Sequence, residues 1–376
     1  MRDVIDDFRR WRAEGVGIGR AVVVRVLGTA PRPEGATLLV ADDGRIAGNI
    51  SSGCVDGAAV EEVRAARRSG LRKVVRYGIS DEQAIGVGLA CGGTIDVLVE
   101  PEVGPELVAA AEGVAEGSVA VAGGGIAIAT VLPPADEVRV VVGADGTLTG
   151  SLGNAELDNR LAERGRTLLA EGVSRIVELG RIEVFIEVFP APPRLVIVGA
   201  GQVAVHLVAL ARGLGFRTVV VDARGAYATR ERFPHADEVI VGWADEVADR
   251  AGIDGDAHVV VLGHDPKLDD PAVVVALRRG ARYVGAMGSR TTLAERRERL
   301  RASGITDDEL ARLHSPIGLD LGGRTPAEIA LAIMAEVVAA RHGASGTPLT
   351  AAGGALGDRT GTRDVPPGDL TPTARE

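Results

Sequence analysis

From Arg194 onward the chain alternates short β-branched runs with stretches of helical spacing, and this alternation restricts the fold more than any other feature. RLVIV, TVVVD, DEVIV, HVVVL and RYVGA are the apolar runs, and segments such as QVAVHLVALARGLG separate them. Parallel strands need long crossovers, which helices supply, so the pattern predicts βαβ units and a Rossmann-like doubly wound parallel sheet. Between the first strand and the first helix lies Gly199-Ala200-Gly201-Gln202-Val203-Ala204, a GxGxxA fingerprint. Gly199 permits the tight turn, Gly201 lets backbone approach a pyrophosphate, and Ala204 allows the helix to pack closely. The helix N-terminus then faces the phosphates. Asp222 ends the next strand 21 residues after Gly201 (222 − 201 = 21), where an acid can bind a ribose diol. The expected ligand is a dinucleotide, with NAD as the default; Asp222 disfavours a 2′-phosphate, and Arg224 offsets that preference.

Two polar loops follow later strands of the same half. One is Gly263-His264-Asp265, with Asp269 and Asp270 close behind; the other is Gly288-Ser289-Arg290. Carboxyl ends of strands share one crevice in a doubly wound sheet, so both loops are expected to face the fingerprint. Ser289 and Arg290 at a helix start suit a second anion, or Ser289 is an ordinary N-cap. His264 beside Asp265 is half a metal site, but no second ligand pair follows at metal spacing, which favours a solvated turn.

The first half reads differently. Strand candidates at 21–27, 37–41 and 45–50 are followed by a helix over 55–69, then by further strands and one more helix, a mixed α+β pattern. The stiff segment PAPPR at 190–194 separates the halves. The expected domains are 1–190, 191–342 and a tail at 343–376, rich in Gly, Thr, Pro and Ala without periodicity, that reads as disordered. A helix capped by Thr325, with Pro326 at its first position and Glu328 at its third, closes the second domain.

Charge limits the partners. The net charge is −10 and aromatic residues make up 3%, so neither a global positive field nor many stacking rings are available for nucleic acid. The first residues, MRDVIDDFRRWRAEG, lack the apolar core of a signal peptide, and no apolar run reaches the length of a membrane span. A cytoplasmic protein is expected, without membrane insertion. Two cysteines are too few for a disulfide framework.

Cys54 sits in Ile50-Ser51-Ser52-Gly53-Cys54-Val55-Asp56-Gly57 at the start of the 55–69 helix, and Cys91 in Gly88-Leu89-Ala90-Cys91-Gly92-Gly93-Thr94 before a strand. A thiol at a helix N-terminus is a candidate nucleophile or soft ligand. Glycine-flanked thiols in loops suit a binding mouth; the competing reading is two inert thiols buried as small hydrophobes. No nucleophile elbow, HExxH, Walker A or paired CxxC occurs, so no catalytic residue is assigned.

The chain resembles the XdhC/CoxI family, the xanthine dehydrogenase accessory factors that handle molybdenum cofactor. The resemblance rests on GTAPRPEGATLLVADDGRIAGNISSGCVDG, GLACGGTIDVLVEP, LVIVGAGQVAVHLVALARGLGFRTVVVDAR, GHDPKLDDPAV, YVGAMGSRTT and HSPIGLDLGGRTPAEIALAIMAEVVAAR. It implies a chaperone that binds and protects the cofactor, supports its sulfuration with a cysteine desulfurase, and inserts it into an apo molybdenum hydroxylase. Cys54 and Cys91 match the family's cysteine motifs and would contact the cofactor; Gly199, Gly201 and Asp222 match its nucleotide fingerprint. Three positions depart from the family pattern: Gln202 stands where histidine is expected, Ser52 replaces a glycine, and Gly323 replaces an alanine. The fingerprint alone supports another function, an NAD-dependent oxidoreductase acting on a small metabolite. That chemistry needs a general acid or base beside the nicotinamide, for which only His264 and His314 offer themselves. A symmetric homodimer is compatible with either.

Overall fold

The computed structural model describes residues 1–78, 93–116, 125–348, 350 and 351. The chain divides into one compact unit, Met1–Ala191, and a second that begins at Pro192. The expected tail falls outside the described residues from 352 onward.

The first unit opens with helix α1 (Ile5–Ala13). Strands β1 (Ile18–Leu27), β2 (Thr37–Ala41) and β3 (Ile46–Gly48) follow, then helix α2 (Asp56–Ser69), and β4 (Lys73–Tyr77) and β5 (Thr94–Glu100) complete a sheet ordered β3-β2-β1-β5-β4. After helix α3 (Pro105–Glu116) the same plan recurs. Strands β6 (Gly125–Val131), β7 (Arg139–Gly143) and β8 (Leu148–Thr149), helix α4 (Ala155–Glu171), and β9 (Arg175–Leu179) and β10 (Ile182–Pro190) form a sheet ordered β8-β7-β6-β10-β9. All pairings in both sheets are antiparallel.

The unit is therefore an internal duplication, which sequence reasoning missed. Asp43-Gly44 at the β2–β3 turn matches Asp145-Gly146 at the β7–β8 turn, an offset of 102 (145 − 43 = 102), and the same offset carries Asp56 to Asp158, Gly70 to Gly172 and β4 onto β9. Alternation along the strands gives each sheet two apolar faces. Ala21, Val23, Val97 and Val99 pack under Ala59, Val63 and Ala66 of α2. The opposite face, Val22, Val24 and Leu98, meets Phe185 and Leu132 of the second sheet, whose outer face lies beneath Leu161, Leu168 and Leu169 of α4. Ile5, Phe8 and Trp11 of α1 join Leu107 and Ala111 of α3 against Leu39, Ile128 and Phe189.

Between the sheets lies a buried charge cluster. Arg20 on β1 donates to Glu100 (3.1 Å) and to Glu187 (2.5 Å), and Arg139 donates to Glu100 (2.6 Å). Glu100 pairs with Arg20 across β1–β5, and Glu187 pairs with Ile128 across β6–β10. Ile18 and Ile126 hold corresponding register positions, facing Ala41 and Gly143, so Arg20 and Ile128 correspond. The two glutamates are thus counterparts that share a single arginine.

The second unit is the parallel sheet expected from the alternation. Strands β11 (Arg194–Val198), β12 (Arg217–Asp222), β13 (Glu238–Val241), β14 (His258–Val261), β15 (Tyr283–Ala286) and β16 (Leu313–His314) are ordered β13-β12-β11-β14-β15-β16. Every pairing is parallel. Helices α5 (Gln202–Gly213) and α10 (Pro326–Arg341) supply Ala204, Leu207, Ile333 and Val337 to one core. The short α6 (Ala248–Ala251), α7 (Pro266–Arg278), α8 (Arg290–Ala302) and α9 (Asp307–Ala311) build the other. The cap on α10 has both halves of its box, with Thr325 and Glu328 exchanging hydrogen bonds.

No described helix is long and apolar enough to cross a membrane.

Candidate functional site

In the first unit the chain between β3 and α2 is held open by one carboxylate. Asp56 accepts from the Ile50 N–H (2.7 Å), the Ser51 hydroxyl (2.6 Å) and the Gly53 N–H (2.6 Å), while Ser51 Oγ accepts from the Val55 N–H (2.8 Å). Burial works to raise the Asp56 pKa, but these three donors outweigh it and hold the carboxyl below its ordinary value. The loop they fix includes Ser52 at φ 57°, the one non-glycine residue with positive φ among those described. Cys54 follows, partly exposed and one residue before the helix cap Val55. It packs against the apolar cluster under α2, the same cluster that Val26, Ala30 and Tyr77 border.

Tyr77 contributes a feature that no sequence signal revealed: its hydroxyl is buried without a partner. Burial first, and Glu62 second, push its pKa up. Tyr77 ends β4, and Gly93 precedes β5, so both stand at the ends of the segment that carries Cys91. A Cβ at Gly93 would lie 2.1 Å from the Thr29 carbonyl, so only glycine lets β5 start against the loop after β1. Cys91 itself lies outside the described residues. The described end of that segment thus meets the loop after β1, and Ala30 of that loop borders the same apolar cluster as Cys54.

In the second unit, Gly199 has φ 103°, and its position faces Leu262 and Gly263 beyond β14. Gly201 caps α5 without a side-chain acceptor, leaving the first N–H groups of the helix open. Gln202 is exposed at the first position of α5. Asp222, by contrast, is sealed. Its Oδ1 accepts from the Arg224 N–H (2.9 Å) and Nε (2.9 Å), and its Oδ2 from the Ala200 N–H (2.8 Å) and Arg224 Nη2 (2.8 Å). Burial opposes ionisation of Asp222; Arg224 and the Ala200 N–H prevail and lower its pKa. A carboxylate has about four lone-pair directions, and here each has a donor, so a ribose diol finds no acceptor.

The other expected residues fall on the same edge of the sheet. Asp265 is the exposed N-cap of α7, accepting from the Lys267 N–H (3.0 Å), and His264 beside it is exposed. Ser289 is exposed just before α8, which Arg290 begins. No group of three metal-ligating side chains occurs among the described residues.

Two further polar groups are partly or fully buried in this unit. Asp269, buried on α7, meets Arg296 (3.2 Å), which also donates to the Met287 carbonyl (2.6 Å). Burial outweighs that cation, and the Asp269 pKa is pushed up to about 6. Glu336 on α10 accepts from Tyr283 Oη (2.8 Å) and the Gly318 N–H (2.6 Å), and lies 3.0 Å from His314 Nδ1.

Both units have counterparts among known proteins. Residues 195–337 match the XdhC Rossmann domain, and residues 11–78 match the XdhC and CoxI family. The chain belongs to the XdhC/CoxI family. It is 28% identical over 323 residues to a protein of Bacillus subtilis described as a probable xanthine dehydrogenase subunit, covering 85% of this chain and 92% of that protein. It is 26% identical over 343 residues to the molybdenum cofactor insertion chaperone PaoD of Escherichia coli, covering 89% of each. The crystal structure of a xanthine dehydrogenase from Bacillus halodurans superposes with a TM-score of 0.71 at 26% identity, covering 93% of this chain and 98% of that one.

Proposed function

We propose that this protein binds molybdenum cofactor, protects it, supports its sulfuration and inserts it into an apo molybdenum hydroxylase of the xanthine dehydrogenase or carbon monoxide dehydrogenase type. The observation that carries this reading is the Cys54 loop, in which Asp56 fixes the backbone around a partly exposed thiol. The names of the relatives, one of them a cofactor insertion chaperone, support it.

The cofactor is cargo, and it brings sulfur-rich ligation that a soft thiolate matches. Cys54 contacts it, and Cys91, carried by the neighbouring segment, does the same. Asp56 fixes the loop backbone so that the thiol is presented without first paying the entropy of ordering it. Tyr77 offers a donor that no described residue takes up. A cysteine desulfurase supplies the sulfur, a homodimer is the working form, and the cytoplasm is the site of action.

The test is anaerobic titration of the purified protein with molybdenum cofactor, with NAD and NADH in parallel. We expect the molybdopterin species to bind in preference to both nucleotides, and Cys54→Ser and Cys91→Ser to weaken it by roughly tenfold or more each, as loss of a ligand does. Undiminished binding in the double variant overturns the thiol assignment.

A further inference from the structure

Of the five Phe, three Tyr and two Trp in the chain, only Tyr227 (45%) and Trp243 (42%) are exposed. Both flank the fingerprint edge of the second unit. Tyr227 lies in the loop after β12 and Trp243 in the loop after β13, and the two loops meet where Gly225 faces Val241 and where the Gly242 N–H donates to the Asp222 carbonyl (3.1 Å). The two most exposed aromatic residues of a chain poor in them thus stand on neighbouring loops of one edge.

The charges at this spot point the same way. The Arg224 guanidinium lies 4.3 Å over the Tyr227 ring and that of Arg232 lies 5.3 Å from it. Arg230 and Arg232 have no carboxylate partner among the described residues; they hydrogen-bond backbone carbonyls of Ala236, Asp237 and Tyr227. Arg224 spends its Nε and Nη2 on Asp222, is half exposed, and makes no hydrogen bond through Nη1 within the described residues. In a chain of net charge −10, this edge combines an arginine with one amino group free of described partners, two further cations and the open N–H groups of α5, with Asp265 the acid that faces Arg224.

We propose that this edge binds a planar heterocycle carrying a phosphomonoester, with Arg224 gripping the phosphate where a diol-reading site would use Asp222, and with Tyr227 and Trp243 against the ring. Arg224 neutralises Asp222 and occupies its lone pairs, so the acid that would repel a phosphate becomes the anchor of the group that attracts one. Two sources offer this chemistry, a 2′-phosphorylated dinucleotide and the phosphate-bearing pterin of molybdenum cofactor. The inference concerns the second unit alone and does not rest on the thiols of the first.

Trp243 is its own reporter. Trp11, the other tryptophan, is buried with an unpartnered Nε1, so Trp11→Phe removes a competing signal without removing a hydrogen bond. In that background, Trp243 emission is titrated with NADP, NAD, molybdopterin and dephosphorylated molybdopterin. We expect at least one phosphorylated ligand to bind roughly tenfold or more tighter than its partner lacking the phosphate, as a charge-assisted hydrogen bond does. In Arg224→Ala, whose fold is checked by its thermal midpoint because the buried Asp222 loses its cation, the preference disappears, and NAD binds no worse because Asp222 is released. Tyr227→Ala weakens both members of the pair.

A preference within the NADP pair identifies a dinucleotide as the source; a preference within the molybdopterin pair identifies the cofactor. Equal affinity with and without the phosphate, binding indifferent to Arg224, or no binding of any of the four overturns the proposal. Cofactor binding that is lost in the Cys54 variant and unchanged in Arg224→Ala sinks this inference and leaves the thiol reading standing.

Discussion

The two halves of the first unit have the same five-strand plan and the same single helix, yet only one carries the candidate chemistry. Asp56 and Asp158 are counterparts, each accepting from the N–H six residues earlier, Ile50 and Leu152, at 2.7 Å and each from a serine hydroxyl, Ser51 and Ser151. In the second copy the helix starts directly, with Asn154 capping Glu156 and Leu157. In the first it starts later, and the chain it gives up becomes the Ser52-Gly53-Cys54 loop. The link from β4 to β5 spans residues 78–93, whereas Gly180 and Arg181 suffice between β9 and β10. Both copies hold a carboxylate clamp, and one has loops where the other has regular ends.

The largest effect is expected where the copies meet. Arg20 is buried with Glu100 and Glu187, and burial penalises its charge until the two glutamates prevail. Arg20→Met, although it restores the apolar character of Ile128 at the corresponding position, leaves two buried carboxylates without their shared cation. A loss of about 3–5 kcal/mol is expected from such a break, read as a fall in the urea midpoint. Adding Glu100→Gln and Glu187→Gln to Arg20→Met is expected to recover part of it. If Arg20→Met alone costs nothing, the shared arginine does not hold the copies together.

Much of this molecule is legible without its structure. Five of the six strands of the second unit lie where β-branched runs fall, because a parallel sheet buried on both faces writes itself as continuous apolar segments; the sixth, Leu313–His314, is too short to leave such a run. The duplication is not legible, since the copies retain turn and clamp positions such as Asp43-Gly44 and Asp145-Gly146 while their apolar residues differ. Helix α1 reads as no more than a charged start, though Ile5, Phe8 and Trp11 repeat every third residue. Arg20 falls just before the 21–27 strand candidate and carries no signal of its role, because its partners lie 80 and 167 residues away. The Cys54 loop is visible as a cluster of small residues, but Tyr77 and the clamp of Asp56 are not. The sealing of Asp222 depends on the direction an arginine side chain takes, which composition and spacing do not encode.

The clamp itself separates structure from function. Asp56→Ala and Asp158→Ala each strand donors at a loop, so each is expected to cost about 1–3 kcal/mol, but only Asp56→Ala should weaken binding of molybdenum cofactor. The folded Asp56 has a pKa below its ordinary 3.8, so its contribution is complete above that value and is lost as pH falls through the lower folded one. Thermal midpoints of the wild type and of Asp56→Ala should therefore converge on acidification below 3.8. Equal loss of cofactor binding in both variants would show that the clamp acts through overall stability and that the copies have not diverged in function.

The smallest effect bears most directly on how one copy became different. Ser52 and Asn154 are counterparts at the offset of 102, but Ser52 is held at φ 57° and Asn154 at φ −147°. A left-handed conformation costs a residue with a Cβ roughly 1–2 kcal/mol, and glycine escapes that cost while losing about 0.5–1 kcal/mol of unfolded-chain entropy. Ser52→Gly should therefore raise stability by up to about 1 kcal/mol. Asn154→Gly removes a cap from a helix that needs one, which should lower stability by a few tenths of a kcal/mol. Denaturant midpoints of the two variants, measured side by side, should move in opposite directions. A shift of the same sign in both would mean that the loop before Cys54 relaxes out of the left-handed region, and the thiol would then lose the fixed backbone on which its presentation depends.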